Sequence, residues 1–392
     1  MKEIWLEKNK VQQQTLELLR LALWKPETAR FSVDESVFEE LQRHAVAAII
    51  QPILPHLDLS SGLRKRWEKK IIQQQVVNET YRYVQENLPL DVPYVILKGT
   101  SAAQYYPCPE NRAQGDIDIM TAREDMDAAC DMLIRGGWKE TTTESDAERG
   151  RHRVFKKQYF IAEVHAFFAS VNDPEKAKIL DDLIIYHINP SHVLPNLVNG
   201  LVLIDHINQH MEMGIGLRQI IDWMMFVDKC LPDEKWAEFQ PMAQATGFET
   251  LAVTVTRMCE LYLGLPEHNW CRDASEQLCS DLMEYVMRCG NFGRKNDVQE
   301  ETAVGHATKI MHPIRAVREL QQKGEENWNQ AANPLLKPFA WAWQGIQILK
   351  DTNGLARGFT EAQRRSRMFD ALGVKRSAKG LVTYKDGEYK VE

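Results

Sequence analysis

The spacing of apolar residues divides the chain into helical and strand-forming regions. Residues 1–88 show the helical pattern, in which apolar side chains recur every three or four positions. The pattern changes at Tyr94–Leu97, a short apolar run that ends in Lys98 and Gly99 and predicts a buried strand entering a turn. The helical period returns from about residue 196, over 201–230, 235–264 and 273–289, and again over 335–350. The sequence therefore predicts two helical regions on either side of a segment that contains strands.

The middle segment, residues 89–195, has the signals of further strands. Asp116–Met120 alternates polar and apolar residues, which is the period of a β-strand. Residues 152–168 predict two strands that are joined by a tight turn near Lys156. Residues 121–135 predict a helix that opens with a capping box and ends at a pair of glycines. Strands and helices thus alternate irregularly here, as in a small α+β domain.

The C-terminal residues 351–392 form a basic tail. Residues 356–380 contain seven Lys or Arg against two Asp or Glu. We interpret this stretch as a solvated amphipathic helix, and binding to an anionic partner is the alternative. Asp386 and Gly387 follow Tyr384 and favour a type I′ turn, so the sequence predicts a terminal hairpin.

Composition and charge limit the classes of function. The net charge of -7 argues against broad nucleic-acid binding, which needs a basic face. No run of 18 apolar residues occurs, and the N-terminus lacks the apolar core of a signal peptide, so we expect no membrane span. The seven cysteines form no C-x-x-C pair and are expected to be reduced thiols. These features predict a cytoplasmic protein.

Two aspartates in the middle segment are candidate metal ligands. Asp116 and Asp118 are two positions apart on a predicted strand, so their side chains leave the same face with Cα atoms roughly 6.5 Å apart. Carboxylates placed in this way can share two divalent metal ions, which clamp the attacking and leaving oxygens of a phosphoryl or nucleotidyl transfer. A solvated face of an edge strand is the alternative. Asp is depleted in strands, and two carboxylates side by side repel unless a cation intervenes, so the residues around the pair decide between these explanations.

A third acid follows on a later strand. Glu163 shares one strand face with His165, and the opposite face is wholly apolar. An acid in so hydrophobic a strand needs a partner. A metal or a substrate hydroxyl is one candidate, and a salt bridge to Arg151 or Arg153 is the other.

The turn after the first predicted strand has features of a phosphate site. Gly99 lets the backbone approach a phosphate closely, and Thr100 begins a predicted helix whose first N–H groups favour anions. Lys98 and Arg112 add the positive charge that a triphosphate needs. No Walker A loop is present. A simple strand-to-helix turn is the alternative for Gly99.

Together these motifs resemble the DNA polymerase β-like nucleotidyltransferase superfamily, in particular its largely uncharacterised bacterial nucleotidyltransferase family. The resemblance is carried by Leu97-Lys98-Gly99, by Arg112 before Gly115-Asp116-Ile117-Asp118, and by Glu163-Val164-His165. The helical part also fits the family pattern, which has two histidines followed by a glycine and an aspartate. Here these residues are His206, His210, Gly216 and Asp222.

The resemblance implies a fold, a reaction and roles for these residues. It implies an α+β fold with a small mixed-sheet nucleotidyltransferase domain at 89–195, an N-terminal helical region at 1–88 and a C-terminal helical domain at 196–350. It implies transfer of a nucleoside monophosphate from an NTP to a hydroxyl on a small-molecule or protein acceptor, with release of pyrophosphate and two Mg²⁺ or Mn²⁺ ions. The implied metal ligands and catalytic residues are Asp116, Asp118 and Glu163, and the implied nucleotide-binding residues are Lys98, Gly99, Thr100, Arg112 and His165.

Two other classes of function stay open at this point. The chain could be a non-catalytic nucleotide-binding protein on the same fold, although the presence of all three acids counts against loss of the site. It could also be a scaffold whose helical regions mediate interactions and whose acids lie on the surface. Stabilisation by Mg-NTP separates the scaffold from the other two, and pyrophosphate release separates the enzyme from the non-catalytic protein.

Overall fold

The computed structural model describes residues 9–24, 32–143, 150–211, 214–291, 321, 337–343, 355–374, 382–385 and 388–391. The chain divides into two compact units, one of residues 1–293 with 372–392 and the other of residues 294–371. The candidate site lies in the first unit. The four segment boundaries that the sequence suggests stay predictions.

A mixed β-sheet of five strands belongs to the first unit. The strands are β1 (Tyr94–Leu97), β2 (Ile117–Thr121), β3 (Lys139–Glu140), β4 (His152–Lys157) and β5 (Phe160–His165). Their order across the sheet is β1-β2-β5-β4-β3. β2 and β5 are parallel, and the other neighbours are antiparallel. The sheet and the helices on both sides of it in the sequence confirm the predicted α+β fold class.

Helices account for most of the remaining described residues of this unit. They are α1 (Lys10–Trp24), α2 (Glu35–Arg43), α3 (Ser61–Glu86), α4 (Gly99–Ala103), α5 (Met126–Arg135), α6 (Pro174–Tyr186), α7 (Asn196–His210), α8 (Leu217–Cys230), α9 (Asp233–Thr246), α10 (Glu249–Leu263) and α11 (Glu276–Cys289). None of the helices that the structure describes is both long and apolar enough to cross a membrane.

The C-terminal residues contain one further helix and a pair of strands. In the second unit, α12 extends over Leu355–Ala371. β6 (Val382–Lys385) and β7 (Glu388–Val391) are antiparallel, as the hairpin prediction requires. The predicted turn residues Asp386 and Gly387 lie outside the described residues, as does most of the helical pattern expected over residues 335–350.

The two faces of the sheet differ in chemistry because side chains alternate along each strand. Ile117 and Ile119 of β2 join Ala162 and Val164 of β5 in one hydrophobic core, together with Leu133 of α5. The residues that alternate with these core residues along β2 and β5 face the other side of the sheet. This alternation places acidic and imidazole side chains of β2 and β5 together on the face opposite that core.

Candidate active site

The site begins at the turn that follows β1. Lys98 has φ +53° and ψ −146°, and Gly99 has φ +44°, so both residues adopt backbone conformations that L side chains rarely occupy. The positive φ favours glycine at position 99, and a Cβ atom there would also lie 2.4 Å from the side-chain nitrogen of Gln114, which would have to shift. Lys98 has a Cβ atom, unlike glycine, so its positive φ is a strained conformation. Strain of this kind is typical of functional sites.

Asp118 is the buried centre of the cluster. Its Oδ1 atom accepts hydrogen bonds from Lys98 Nζ at 2.9 Å and from His165 Nε2 at 2.9 Å. Burial alone would raise the pKa of Asp118, but Lys98 and His165 stabilise the charged form and lower the pKa below its usual value. Asp118 is therefore an ionised carboxylate in the folded protein.

Glu163 lies beside Asp118 because the two residues are register partners on the parallel strands β2 and β5. Its Oε2 atom is 3.5 Å from His165 Nε2 and 3.9 Å from His152 Nε2. Burial, and then the charges of Asp118 and Asp116, raise the pKa of Glu163 to about 8. The carboxyl group thus holds a proton at neutral pH when no metal ion is bound.

His165 is neutral in this environment, because burial lowers its pKa to about 3. With Asp118 ionised, the proton of the ring is on Nε2, where it is donated to that carboxylate. Ligand atoms of Asp118, Glu163 and His165 lie within 4.8 Å of one another, which is close enough to hold a metal ion.

Asp116 immediately precedes β2 and is half-buried. The charge of Asp118 is the largest cause that raises its pKa, and burial is the second. The group that could hold a metal does not include Asp116. The structure therefore brings Asp118 and Glu163 together with His165, and it places Asp116 next to them as a third carboxylate.

The predicted arginine partners of Glu163 are engaged elsewhere. Arg153 forms hydrogen bonds of 2.8 and 2.7 Å with the two carboxylate oxygens of Glu140, and Arg151 donates to the carbonyl oxygen of Phe168. Across the parts of the chain that the structure describes, Glu163 forms no ion pair with an arginine. The geometry thus does not support the alternative, in which Glu163 is a structural acid paired with an arginine.

Two of the predicted phosphate ligands form bonds within the protein. The Thr100 hydroxyl donates to Gln85 Oε1 at 2.7 Å. Arg112 is buried and binds both oxygens of Asp222, through Nε at 3.0 Å and Nη2 at 2.6 Å, while its Nη1 donates to the carbonyl oxygen of Ala113. The Tyr106 hydroxyl also donates to Asp222. Arg112 therefore ties the loop before Asp116 to α8, and its predicted phosphate contact stays a prediction.

Arg112→Lys tests this structural role. Lysine keeps the positive charge but cannot donate two parallel bonds to Asp222, so we expect a loss of about 1.5–3 kcal/mol in the free energy of unfolding. Urea unfolding of the metal-free protein measures it, with the exposed Arg82→Lys as the control. Unchanged stability together with weaker Mg-NTP binding would show instead that Arg112 serves the phosphates alone.

Three histidines and one arginine that were not among the predicted site residues also lie around the cluster. His152 approaches Glu163 from β4. His206 and His210 are buried neighbours on α7, with ring centroids 4.7 Å apart. Arg218 lies on α8 beside Gly115. The histidine pair was visible in the sequence as a helical-region motif, whereas nothing in the local sequence marked Arg218.

Comparisons with known proteins give one match. The model of a family described as an uncharacterised nucleotidyltransferase matches residues 29–264, which is more than half of the chain and includes every candidate site residue. No curated protein matches the chain. No solved structure matches it either.

Proposed function

The chain belongs to the uncharacterised nucleotidyltransferase family, and we propose that it transfers a nucleoside monophosphate from an NTP to a hydroxyl group in a metal-dependent reaction that releases pyrophosphate. The observation that carries this proposal is the register of β2 and β5. It pairs Asp118 with Glu163 on one face of the sheet. Asp116, two residues before Asp118, is close enough for the charges of the three acids to affect one another.

The charges of this cluster fit a divalent cation. The charge of Asp118 is the main cause that raises the pKa of Asp116, whereas burial, followed by the charge of Asp118, raises the pKa of Glu163. Lys98 offsets only part of this negative charge. Carboxylate oxygens are the ligands that Mg²⁺ and Mn²⁺ prefer, so Asp116, Asp118 and Glu163 would hold the metal. Bound there, divalent ions would neutralise the charge that develops on the reacting phosphate.

The residues of the chain then have separate tasks. His165 keeps Asp118 oriented through its 2.9 Å hydrogen bond, as a group behind a metal ligand commonly does. With the metal bound, Glu163 would be ionised, and its carboxylate would take up the proton of the acceptor hydroxyl, which surroundings that raise its pKa favour. The acceptor oxygen bonds to the α-phosphorus, and the bond from that phosphorus to the bridging oxygen breaks.

Lys98, Gly99 and Thr100 are proposed to contact the nucleotide phosphates from the turn after β1. Lys98 Nζ is 2.9 Å from Asp118 Oδ1. Its positive charge would therefore lie close to both the carboxylates and a bound phosphate. The strained backbone at Lys98 supports this role, because it directs the side chain toward the carboxylates. His165 and Arg112 stay predicted nucleotide-binding residues, and their present bonds favour positioning roles.

The test is release of pyrophosphate. The protein is incubated with Mg²⁺ or Mn²⁺ and each α-labelled NTP, with and without cell extract, and pyrophosphate and the labelled product are measured. We expect metal-dependent release that requires an acceptor. Stabilisation by Mg-NTP without pyrophosphate or labelled product would indicate the non-catalytic nucleotide-binding protein. Absence of both stabilisation and release would indicate the scaffold and would overturn the proposal.

A further inference from the structure

The site face of the sheet, which contains Asp118 and Glu163, continues past these acids onto the outer strands. Ile161 is two residues before Glu163 on β5, so both side chains leave the same face, with Cα atoms roughly 6.5 Å apart. Lys156 of β4 is the register partner of Ile161, and Lys139 of β3 is the register partner of Lys156. Directly opposite residues share a face, so these three residues form a row that begins beside Glu163.

This row is accessible to solvent. Ile161 is 37% exposed, and both lysines are exposed. A neighbour of each row residue in the sequence, namely Trp138, Phe155 and Ala162, is buried in the core that also contains residues of α5. The row therefore lies on the face opposite that core, and it forms an open surface next to Glu163.

The two lysines of the row place like charges directly opposite one another, an arrangement that destabilises a sheet. Within the described ranges neither lysine forms an ion pair, and the acid of β3, Glu140, pairs with Arg153. Lysine on an edge strand protects it from pairing with other chains, which accounts for Lys139 on β3. It does not account for Lys156, because β4 lies inside the sheet. The lysine pair thus favours an anionic ligand on this face.

The order of the strands indicates which reactant lies on this surface. The proposed phosphate contacts, residues 98–100, follow β1 at one edge of the sheet, and β3 is the opposite edge. Asp118 on β2 and Glu163 on β5 lie between these edges. In nucleotidyl transfer the attacking and leaving oxygens are roughly in line. With pyrophosphate leaving on the β1 side, the acceptor hydroxyl approaches from the β5 side, and the rest of the acceptor extends over β4 and β3.

We propose that the acceptor is a small hydroxyl compound with an anionic group, a carboxylate or a phosphate ester, which binds Lys156 and Lys139 while Ile161 contacts its apolar part. This inference rests on the proposed nucleotidyl transfer and names the class of acceptor. Lys156 is the diagonal neighbour of Glu163, with Cα atoms roughly 7–8 Å apart, so one small molecule can reach both. The hydroxyl gives its proton to Glu163 and bonds to the α-phosphorus, and the bond from that phosphorus to the bridging oxygen of pyrophosphate breaks.

The experiment uses the low-molecular-mass filtrate of a cell extract as the source of acceptor, with Mg²⁺ and each α-labelled NTP. Pyrophosphate and labelled product are measured against the amount of filtrate. We expect Lys156→Glu to raise the half-saturating amount of filtrate by about threefold to tenfold, because repulsion replaces the attraction of an exposed ion pair. Calorimetry should give an unchanged affinity for Mg-NTP. Lys65→Glu reverses the charge of an exposed lysine on α3 and is the matched control.

Salt and treatment of the filtrate test the charge of the acceptor directly. Higher ionic strength should raise the half-saturating amount for the wild type and should narrow its difference from Lys156→Glu, because exposed charges are screened. Passage over an anion-exchange resin should remove the acceptor activity from the filtrate. Phosphatase treatment then distinguishes the two anionic groups, since it removes the activity of a phosphate ester and leaves that of a carboxylate.

Several outcomes would overturn the inference. An equal response of Lys156→Glu and the wild type to the filtrate, while the wild type releases pyrophosphate, rejects this surface and leaves the proposed function intact. Acceptor activity that passes through the anion-exchange resin indicates a neutral acceptor, and activity found only in the unfiltered extract indicates a macromolecular one. Weaker Mg-NTP binding by Lys156→Glu places the nucleotide on this surface instead. A wild-type protein that releases no pyrophosphate with either the filtrate or the whole extract overturns the proposed function, and the inference fails with it.

Discussion

Separate replacement of Asp116 and Asp118 by asparagine should abolish Mg-dependent NTP binding in both variants and should change stability in opposite directions. The binding loss is common to both because a neutral amide cannot offset the charge of a divalent ion. The stability effects differ because Asp118 is paired with Lys98 and His165, whereas the surroundings of Asp116 raise its pKa.

Asp118→Asn should lower stability. In the folded protein Asp118 pairs with the buried Lys98 and accepts a bond from His165, and its pKa is lowered. Loss of one partner of a buried pair costs about 3–5 kcal/mol, and the nearby Asp116 and Glu163 reduce this cost for Lys98. A lowered pKa means that the stabilising contribution is present above the unfolded value and is lost as the pH falls, so the difference from wild type should shrink in acid.

Asp116→Asn should raise stability. The charge of Asp118 raises the pKa of Asp116, so the ionised form of Asp116 is destabilising in the folded protein. Asparagine removes that repulsion. Because the folded pKa is above the unfolded value, the gain should be present at neutral pH and should disappear as the pH falls below the unfolded value.

Denaturant unfolding of the metal-free proteins and calorimetry with Mg-NTP measure the two effects. The exposed Asp131→Asn on α5 is the control and should match the wild type in both. Normal Mg-NTP affinity in either site variant would show that its carboxylate is not a metal ligand. A loss of stability in Asp116→Asn would contradict the repulsion between the two aspartates.

Strands and their faces could be predicted from the sequence, because alternation of polar and apolar residues depends only on neighbouring positions. Tyr94–Leu97 forms β1 as predicted, and β4 and β5 follow the two strands expected over residues 152–168. β2 begins at Ile117 and extends to Thr121, one residue later than expected at each end. The alternation also separated the apolar face from the face that contains Asp118 and Glu163.

The start of α5 shows where local patterns are insufficient. The sequence predicts a capping box at Thr121, but Thr121 is paired with Tyr94 in the sheet, and its hydroxyl donates to the carbonyl oxygen of Ala122. Residues Arg123–Asp125 form a 3-10 turn, and the helix begins at Met126. Pairing with a distant strand decides the end of β2, and a local motif contains no information about that strand.

The partners of the charged site residues were likewise hidden from the sequence. Arg112 was assigned to phosphate because it precedes the aspartates, yet Asp222, 110 residues later, accepts two of its hydrogen bonds. His165 was assigned to the nucleotide, and it forms a bond to Asp118. Arg218 reaches the site only because α8 packs beside the loop before β2. Such contacts depend on tertiary packing, which residue spacing does not encode.

Glu163→Gln should lower the rate of pyrophosphate release by about 10²–10⁴-fold, which is the usual effect of removing a general acid or base. Glu163 is on β5, a different strand from Asp118, and both aspartates remain in the variant, so it should still bind Mg-NTP through Asp116 and Asp118. Glutamine is nearly the same size as glutamate, and packing on the strand should survive. The exposed Glu124→Gln is the control and should leave the rate unchanged.

The stability of the same variant decides between a catalytic and a structural acid. The pKa of Glu163 is raised to about 8 in the folded protein from an ordinary value of 4.5. A raised pKa means that the protonated acid stabilises the fold at low pH, and that this contribution is lost as the pH rises through the folded value. Glutamine resembles the protonated acid at every pH. In metal-free protein, Glu163→Gln should therefore match the wild type near pH 4 and should be more stable than the wild type above pH 8, by about 1–3 kcal/mol after solvent screening.

A structural acid would give the reverse result. If Glu163 stabilised the fold as a charged partner of a cation, its pKa would be lowered, and Glu163→Gln would be less stable than the wild type at neutral and alkaline pH. Melting temperature and pyrophosphate release are measured on the same preparations from pH 4 to pH 9. Lower stability at alkaline pH together with a normal rate of release would exclude Glu163 from the reaction, whereas higher stability with a rate reduced at least 10²-fold would place its carboxylate at the acceptor hydroxyl.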